Sequence, residues 1–197
     1  GKFTIADPDV FEVANFNRQV GALISTLDQP KVEVLARMAK DINPEVEIAE
    51  FPAGVTPQNL DEFLRGADLF IDGFDFFVID IRRQAFARCR ELGIPALTAA
   101  PVGMGVAFLL FTKDGMKFED YFRFEGKTEL RQYINFLMGL APSGMHRAYL
   151  VDPTRLDVAR RKAPSTIIGV QLCASFTAAQ AVKFLLGRGE VKQCFRW

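Results

Sequence analysis

The chain has 197 residues, of which 49% are hydrophobic, and its 24 basic residues balance 24 acidic ones. This length and apolar content are typical of one folded domain with a sizeable core, and they exclude a disordered chain. The formal charge of zero argues against a broad electrostatic surface for nucleic acid or for an anionic membrane.

The sequence carries no signal for membrane insertion or export. We find no apolar run of the roughly 18 to 20 residues that crosses a bilayer, and the first residues lack a charged-then-apolar pattern. We therefore expect a soluble, cytoplasmic protein without a membrane partner.

The cysteines and the histidine do not form a metal-binding pattern. Cys89, Cys173 and Cys194 are far apart without a CxxC pair, and His146 is the only histidine. A structural zinc ion needs four soft or imidazole ligands, usually at close spacing, so we expect none. Reduced thiols in a cytosolic protein account for the cysteines.

Predicted strands and helices alternate over roughly the first hundred residues. In chain order they are strand KFTIAD, helix QPKVEVLARMAKDIN, strand VEIAEF, helix TPQNLDEFLRG, strand ADLFIDG, helix VIDIRRQAFARCREL, and strands IPALTAA and GVAFLLF. Gly66 and Gly93 are placed to end two of the helices. The alternation predicts an α/β fold, a Rossmann-like doubly wound and mainly parallel sheet with helices on both faces.

The pattern changes after Phe111. MKFEDYFRFEG alternates with polar residues and predicts an exposed antiparallel strand, KTELRQYINFLMGL predicts an amphipathic helix, and TIIGVQLCASFTAAQAVKFLLG predicts a long apolar helix that stops at Gly187. Between the two helices, a basic, loop-rich crossover segment covers about 141–165. It carries His146, Arg147, Arg155, Arg160 and Arg161, which we interpret either as a solvated loop or as a mobile basic loop that recognises an acidic partner or covers the site. The absence of a repeat or linker predicts a single domain, 1–197.

Charged residues near predicted strand ends suggest a nucleotide site. Asp7 closes the first strand, and Asp75 follows the strand that ends at Asp72. Doubly wound sheets bind nucleotides at the carboxyl ends of their strands, where an acid holds ribose hydroxyls and a carboxylate holds magnesium. Arg18 and Lys31 supply positive charge for phosphate. Each of these residues, taken alone, is more often a solvated surface charge than a ligand.

These residues occur in the order of a known family signature. DPDVFEVANFNRQ resembles the D-x-D-x-V-x-x-x-N-x-x-R-Q signature of the ThiF/MoeB/ubiquitin-activating family, and Lys31 follows Arg18 by thirteen residues. The similarity continues through INPEVEI, DLFIDGFD and CRELGIPALTAA, and it returns in PSTIIGVQLCASFTAAQAVKFLLG. It covers residues 1 to about 107 and 164–187.

The resemblance implies an enzyme that uses Mg-ATP to adenylate the C-terminal carboxylate of a small ubiquitin-like or sulfur-carrier protein or peptide. By this resemblance Asp7 binds ribose, Asn15 and Arg18 contact the phosphates, and Gln19 supports the turn. Lys31 stabilises charge that develops on the phosphate, and Asp75 ligates magnesium. The family also implies a homodimer.

Three departures from the family pattern affect this interpretation. No G-x-G-x-x-G precedes Asp7, so we expect the first strand and its phosphate loop to lie upstream of Gly1. Phe76 stands where the family usually has Asn, which weakens the magnesium assignment, although Arg82 or Arg83 can fill the arginine position that follows. No cysteine lies where relatives carry a nucleophile, so we expect adenylation without an enzyme thioester.

Two alternatives stay open. The missing loop and Phe76 favour a catalytically weakened relative that serves as a binding or dimerisation subunit. An acid after a strand also suits a dinucleotide-dependent oxidoreductase, but NFNRQ and Lys31 have no role in that scheme.

Overall fold

The structure is a computed structural model, and it describes residues 1–144 and 165–189. Contacts divide the chain into two compact units, Gly1–Arg65 and Gly66–Trp197. Most of the predicted crossover segment, with His146 and its four neighbouring arginines, lies outside the described residues. The single domain therefore stays a prediction, and each unit is described by itself.

Regular elements occur in both units. The strands are Lys2–Ala6 (β1), Glu47–Phe51 (β2), Phe70–Asp72 (β3), Ala96–Val102 (β4) and Gly105–Phe111 (β5). The α-helices are Lys31–Ile42 (α1), Leu60–Phe63 (α2), Ile79–Leu92 (α3), Phe118–Phe122 (α4), Glu129–Leu140 (α5) and Ile167–Leu185 (α6). Two short 3-10 turns cover Val13–Asn15 and Ile24–Thr26.

The first unit is built on one parallel strand pair. β1 and β2 pair in parallel, from Lys2 opposite Glu47 to Ala6 opposite Phe51, and α1 connects them and packs on β2. The apolar face of α1 turns inward, where Val34 meets Phe11 from the loop after β1. A parallel pair requires such a crossover, so the helix between the strands fixes the direction of β2.

The second unit contains a three-stranded mixed sheet. β3 pairs with β4 in parallel, and β4 pairs with β5 antiparallel through a tight connection at Val102–Gly105. Helix α6 packs on β4 and β5, where its Phe176 and Phe184 cover the buried strand residues Leu97, Phe108 and Leu110. The predicted mixed α/β class, parallel with an antiparallel extension, is confirmed.

The segment MKFEDYFRFEG is the clear error of the sequence interpretation. Its alternation predicts an exposed antiparallel strand, but Phe118–Phe122 forms helix α4. Phe118, Phe122 and Phe124 are buried among aromatic rings, with Phe118 stacked on Phe86 of α3 at a ring separation of 4.0 Å. The alternation comes from a short helix followed by the left-handed residue Arg123, which returns Phe124 to the same core.

Helix α6 also corrects the expectation about apolar runs. It is 19 residues long, and its most apolar 18-residue window has a mean hydropathy of 1.3, so by length and composition it is able to cross a bilayer. Only 17% of its most apolar window is buried within the structure. This is weak evidence for a span, because the core helix of a soluble protein passes the same test.

The first turn of α6 lies against the connection between β4 and β5. The Thr166 hydroxyl caps the helix by accepting the Gly169 N–H, and it donates to the Gly103 carbonyl at 3.2 Å. A Cβ on Gly169 would lie 2.4 Å from the same carbonyl oxygen. Only glycine permits this approach.

We predict that Phe136→Ala in α5 lowers the free energy of unfolding by about 3–5 kcal/mol, because a ring in a close-packed core leaves a cavity. Phe136 is 2% exposed and contacts the rings of Phe76 and Phe122. The matched control is Met138→Ala on the same helix, which is 54% exposed and should cost at most about 0.5 kcal/mol. Urea titration followed by circular dichroism measures both, and equal losses would contradict the packing described.

Candidate functional site

In the first unit, hydrogen bonds link Asp7, Asp9 and Lys31 in series. Asp7 and Lys31 are predicted site residues, and Asp9 lies between them in this series. The Asp7 carboxylate accepts the Asp9 backbone N–H at 2.9 Å through Oδ1. The Asp9 carboxylate in turn accepts the Lys31 ammonium at 3.0 Å. The Lys31 side chain is 10% exposed whereas that of Asp9 is 68% exposed, so a nearly buried lysine pairs with a carboxylate at the surface.

Backbone pairing holds this series in place. The Lys31 N–H donates to the Asp9 carbonyl at 2.9 Å, and the Phe11 N–H donates to the Gln29 carbonyl at 3.0 Å. Val10 and Pro30 form an antiparallel bridge between these two bonds. Lys31 is the first residue of α1, so the start of the helix is fixed against the segment that follows β1.

Asn15, Arg18 and Gln19 lie in the turn that follows. Asn15 is buried, and its side-chain oxygen accepts the Glu12 N–H at 3.0 Å, which leaves its NH2 group as a donor. The Gln19 N–H donates to the Asn15 carbonyl at 2.9 Å, a backbone bond that does not involve the Gln19 side chain. The Arg18 guanidinium donates to the Ala14 carbonyl at 2.7 Å and to the Asn17 side chain at 2.9 Å.

The ligands that this segment can bind depend on which of its donors and acceptors are not hydrogen-bonded to described residues. Asp7 Oδ2 has no hydrogen bond to a described residue, and a carboxylate oxygen at a strand end accepts ribose hydroxyls. The Lys31 ammonium has three donors, of which Asp9 takes one. The segment therefore carries one ammonium and one guanidinium, the two side-chain cations that bind phosphate in proteins.

In the second unit, Asp75 stands on a tight turn after β3. Asp75 is exposed, and its Oδ1 accepts the Phe77 N–H at 3.0 Å. Its Oδ2 makes no hydrogen bond to the described part of the chain. Asp72, at the end of β3, is buried, and its Oδ1 accepts the Phe74 N–H at 3.0 Å. The Asp72 and Asp75 carboxylates thus each accept one backbone N–H of the turn.

The Arg82 side chain fills the inside of this turn. Its guanidinium Nε donates to Asp72 Oδ2 at 2.8 Å, and the two side chains are 2% and 1% exposed. The other guanidinium nitrogens donate to four backbone carbonyls of the turn, at 2.7 Å (Phe74), 2.9 Å (Asp75), 3.2 Å (Val78) and 3.4 Å (Phe76). Arg83 instead points to α4 and forms a two-pronged pair with Glu119 at 2.8 Å.

The described residues suit a magnesium ion that is held by a single carboxylate. Within residues 1–144 and 165–189, no group of three or more metal-ligating side chains is present. Magnesium is usually held by one or two carboxylates together with substrate phosphates and water, not by an all-protein cage. The exposed Asp75 carboxylate, with one oxygen unengaged, fits that single-carboxylate role.

Phe76, where the family usually has Asn, belongs to an aromatic cluster. Its ring contacts those of Phe77 and Phe136 with centroids 5.1 and 5.4 Å apart. The Tyr133 hydroxyl donates to the Phe77 carbonyl at 3.3 Å. The residue after Asp75 therefore packs inward, and it has no polar group for a ligand.

The two described cysteines are unsuited to covalent catalysis. Cys89 on α3 and Cys173 on α6 are both buried and free. Burial raises the pKa of the Cys89 thiol to about 12 and also raises the pKa of Cys173. This supports their interpretation as small apolar core residues.

The structure thus brings together part of the predicted site. Asp7 and Lys31 are linked through Asp9, Asn15 and Arg18 follow in the same unit, and Asp75 belongs to the other unit. Sequence reasoning assigns Asp9 no role, although the D-x-D spacing contains the signal. It also treats Asp72 as a strand end and leaves the downstream arginine position open between Arg82 and Arg83, because a buried ion pair has no local sequence signature.

Comparison with solved structures identifies the fold class. The chain superposes on selenomethionine PaaA with a TM-score of 0.70 over 98% of this chain and 59% of that one, at 16% identity. It also superposes on Escherichia coli MccB solved with AMPCPP and selenomethionine MccA, with a TM-score of 0.67 over 98% and 51% at 20% identity. These likenesses show a Rossmann-like α/β fold.

The family follows from sequence. The ThiF family profile matches residues 1–196, and the chain belongs to this family. Over 100 residues it is 32% identical to the Bacillus subtilis (strain 168) tRNA threonylcarbamoyladenosine dehydratase, which covers 50% of this chain and 39% of that protein. Over 112 residues it is 27% identical to the Escherichia coli (strain K12) sulfur carrier protein ThiS adenylyltransferase, covering 57% and 44%. The chain thus spans less than half of either relative.

We predict that Cys89 resists alkylation in the folded protein, because the thiolate is the reactive form and a pKa of about 12 leaves about one thiol in 10⁴ ionised at pH 8. Iodoacetamide labelling at pH 8, read by peptide mass spectrometry, should modify Cys89 rapidly only in urea-unfolded protein. Rapid labelling of Cys89 in the folded state would show that this thiol is accessible after all.

Proposed function

We propose that this protein is an ATP-dependent adenylating enzyme. Its substrate is the C-terminal carboxylate of a small ubiquitin-like or sulfur-carrier protein or peptide. The observation that carries the proposal is the series of hydrogen bonds from Asp7 through Asp9 to Lys31, which links a carboxylate at the end of β1 to the ammonium group at the start of α1. Membership of the ThiF family and the adenylyltransferase among its relatives support the same activity.

The reaction needs positive charge at one place. A carboxylate oxygen of the substrate attacks the α-phosphorus of ATP, a C–O–P linkage forms, and the bond from the α-phosphorus to the bridging oxygen breaks. Pyrophosphate leaves with that electron pair. Both reactants are anionic, so Lys31 and Arg18 lower the repulsion and stabilise the charge on the leaving oxygens.

Each residue of the segment has a role in this scheme. Asp7 accepts the ribose hydroxyls through Oδ2, and Asn15 donates its amide NH2 to phosphate. Gln19 holds the turn that carries Asn15 and Arg18. Asp9 keeps the Lys31 ammonium in one orientation before ATP binds, so no reorganisation is needed when it does.

Magnesium is the proposed partner of Asp75. When bound with the nucleotide, the ion neutralises phosphate charge. Asp75 offers it one carboxylate oxygen, and the turn around Arg82 holds that carboxylate outward.

The class of substrate is proposed from the relatives and from the charge of the chain. One relative is named for the sulfur carrier protein ThiS, and another for tRNA threonylcarbamoyladenosine. The balanced charge of this chain favours a protein or peptide carboxylate over a tRNA substrate. A homodimer and a cytoplasmic location remain predictions from the family resemblance.

A second candidate is a catalytically weakened relative that serves as a binding subunit. The observation that favours it is Phe76, whose ring is committed to the aromatic cluster of α5. The two candidates differ in one measurement. An enzyme exchanges pyrophosphate into ATP in the presence of its carboxylate substrate, and a binding subunit does not.

We predict that Lys31→Met lowers substrate-dependent ATP–pyrophosphate exchange by about 10²-fold or more, the size expected when a charge-stabilising donor is removed. The fold should persist, because Asp9 is exposed and the loss of such a pair costs about 1 kcal/mol or less. Asp75→Ala should reduce exchange to a similar extent.

The matched control is Lys40→Met, which removes an exposed lysine from the last turn of the same helix. Exchange is measured with sulfur-carrier proteins, peptides that have a free C-terminus, and threonylcarbamoyl-modified tRNA. Exchange that depends only on the tRNA would overturn the substrate class. Full activity of Lys31→Met would remove this residue from the site, and no exchange with any substrate would favour the binding subunit.

A further inference from the structure

We propose that Arg82 is the positioning residue for the Asp75 carboxylate, and that its guanidinium sets the magnesium dependence of nucleotide binding. This deepens the proposed function and rests on it. Arg82 touches no substrate group itself. It acts by fixing the backbone of the turn from which Asp75 projects.

The geometry singles out Arg82 among the described arginines. All three guanidinium nitrogens are engaged within one turn, by one carboxylate and four carbonyls of residues 74–78. The carbonyl of Asp75 itself is among them, at 2.9 Å. Backbone oxygens that point inward to a common cation leave the Asp75 side chain on the outer side of the turn.

Asp72 and Phe136 complete the arrangement. The Asp72 carboxylate balances the guanidinium charge with Oδ2 and receives the Phe74 N–H with Oδ1, so it joins the same turn twice. The Phe136 ring lies over the guanidinium, with Cζ 4.6 Å from the ring centroid. A buried charge is tolerated only when its partners satisfy it this fully, so the turn and Arg82 are mutually dependent.

An ammonium group cannot replace this guanidinium. Arg has five N–H donors in a planar fork, whereas Lys has three on a single nitrogen. The substitution Arg82→Lys keeps the charge that Asp72 requires, but the ammonium cannot reach five acceptors at once. This variant therefore separates the charge of Arg82 from its hold on the turn.

The test uses the full chain with Arg82→Lys, and with Arg83→Lys as the matched control. The control keeps the charge opposite Glu119 but removes the two-pronged geometry of that ion pair, one residue further along the same helix and outside the Asp75 turn. The double variant Asp72→Asn/Arg82→Gln removes both buried charges together, and it serves where the single variant does not fold. Thermal unfolding selects the folded variants.

Two readouts are measured on each variant. Hydrogen exchange of the Phe74 and Phe77 amides reports the turn, because both donate to carboxylates within it. Calorimetric binding of the nonhydrolysable ATP analogue AMPCPP, with magnesium and with EDTA, reports the contribution of the metal. We expect Arg82→Lys to speed exchange at both amides at least tenfold and to reduce the magnesium-dependent gain in affinity about tenfold, with Arg83→Lys unchanged in both.

The outcomes separate the inference from the function on which it rests. Unchanged amide exchange, or a retained magnesium gain in Arg82→Lys, overturns the positioning role. Equal effects in Arg83→Lys overturn it as well, since they would reflect general loosening of α3. Wild-type protein that binds AMPCPP equally with magnesium and with EDTA overturns the magnesium site itself, while faster amide exchange would still identify Arg82 as the support of the turn.

Discussion

The ion pair between Asp72 and Arg82 is the contact on which the second unit's turn depends, because two charges have been removed from water within 2.8 Å of each other. Desolvating two ions costs several kcal/mol each, and their attraction offsets this only when the remaining donors and acceptors are satisfied. Here the backbone satisfies them. The strand β3 therefore ends in a closed turn, and the next acidic side chain is held outward.

In the first unit, neutral backbone groups hold the charged residue in place. Backbone bonds between the segment after β1 and the start of α1 fix Lys31, and the single charged contact to Asp9 is open to solvent. Screening weakens such an exposed pair but leaves the backbone bonds intact. The Lys31–Asp9 pair is thus in contact with solvent through Asp9, whereas the charge of Arg82 is neutralised inside the protein.

The sequence predicted the parts of the fold that follow from local periodicity. β5 coincides with GVAFLLF, α3 ends at Gly93 in the left-handed conformation as expected, and Asp7 and Asp75 follow their strands. The error at α4 has a physical reason: phenylalanines at alternate positions satisfy both a strand and a short helix followed by a reversed turn. Only the three-dimensional core decides between them.

The candidate site likewise has a part that the sequence predicts and a part that only the structure shows. Asp7, Asn15, Arg18, Gln19 and Lys31 are predicted site residues because their spacing resembles a family signature. Asp9 is contained in the D-x-D spacing but received no role, whereas the burial of the Asp72–Arg82 ion pair is not revealed by spacing. An arginine ten residues after an aspartate is usually a surface charge, and its burial depends on the aromatic rings that α5 contributes.

The contact between Gly169 and the Gly103 carbonyl limits how this protein can be altered. With a side chain excluded at position 169, α6 is seated directly on the β4–β5 connection, and any lengthening of that connection would have to displace the start of the helix. Loop grafting or insertion at this hairpin is therefore unsuitable for engineering, although hairpin connections elsewhere usually accept such changes.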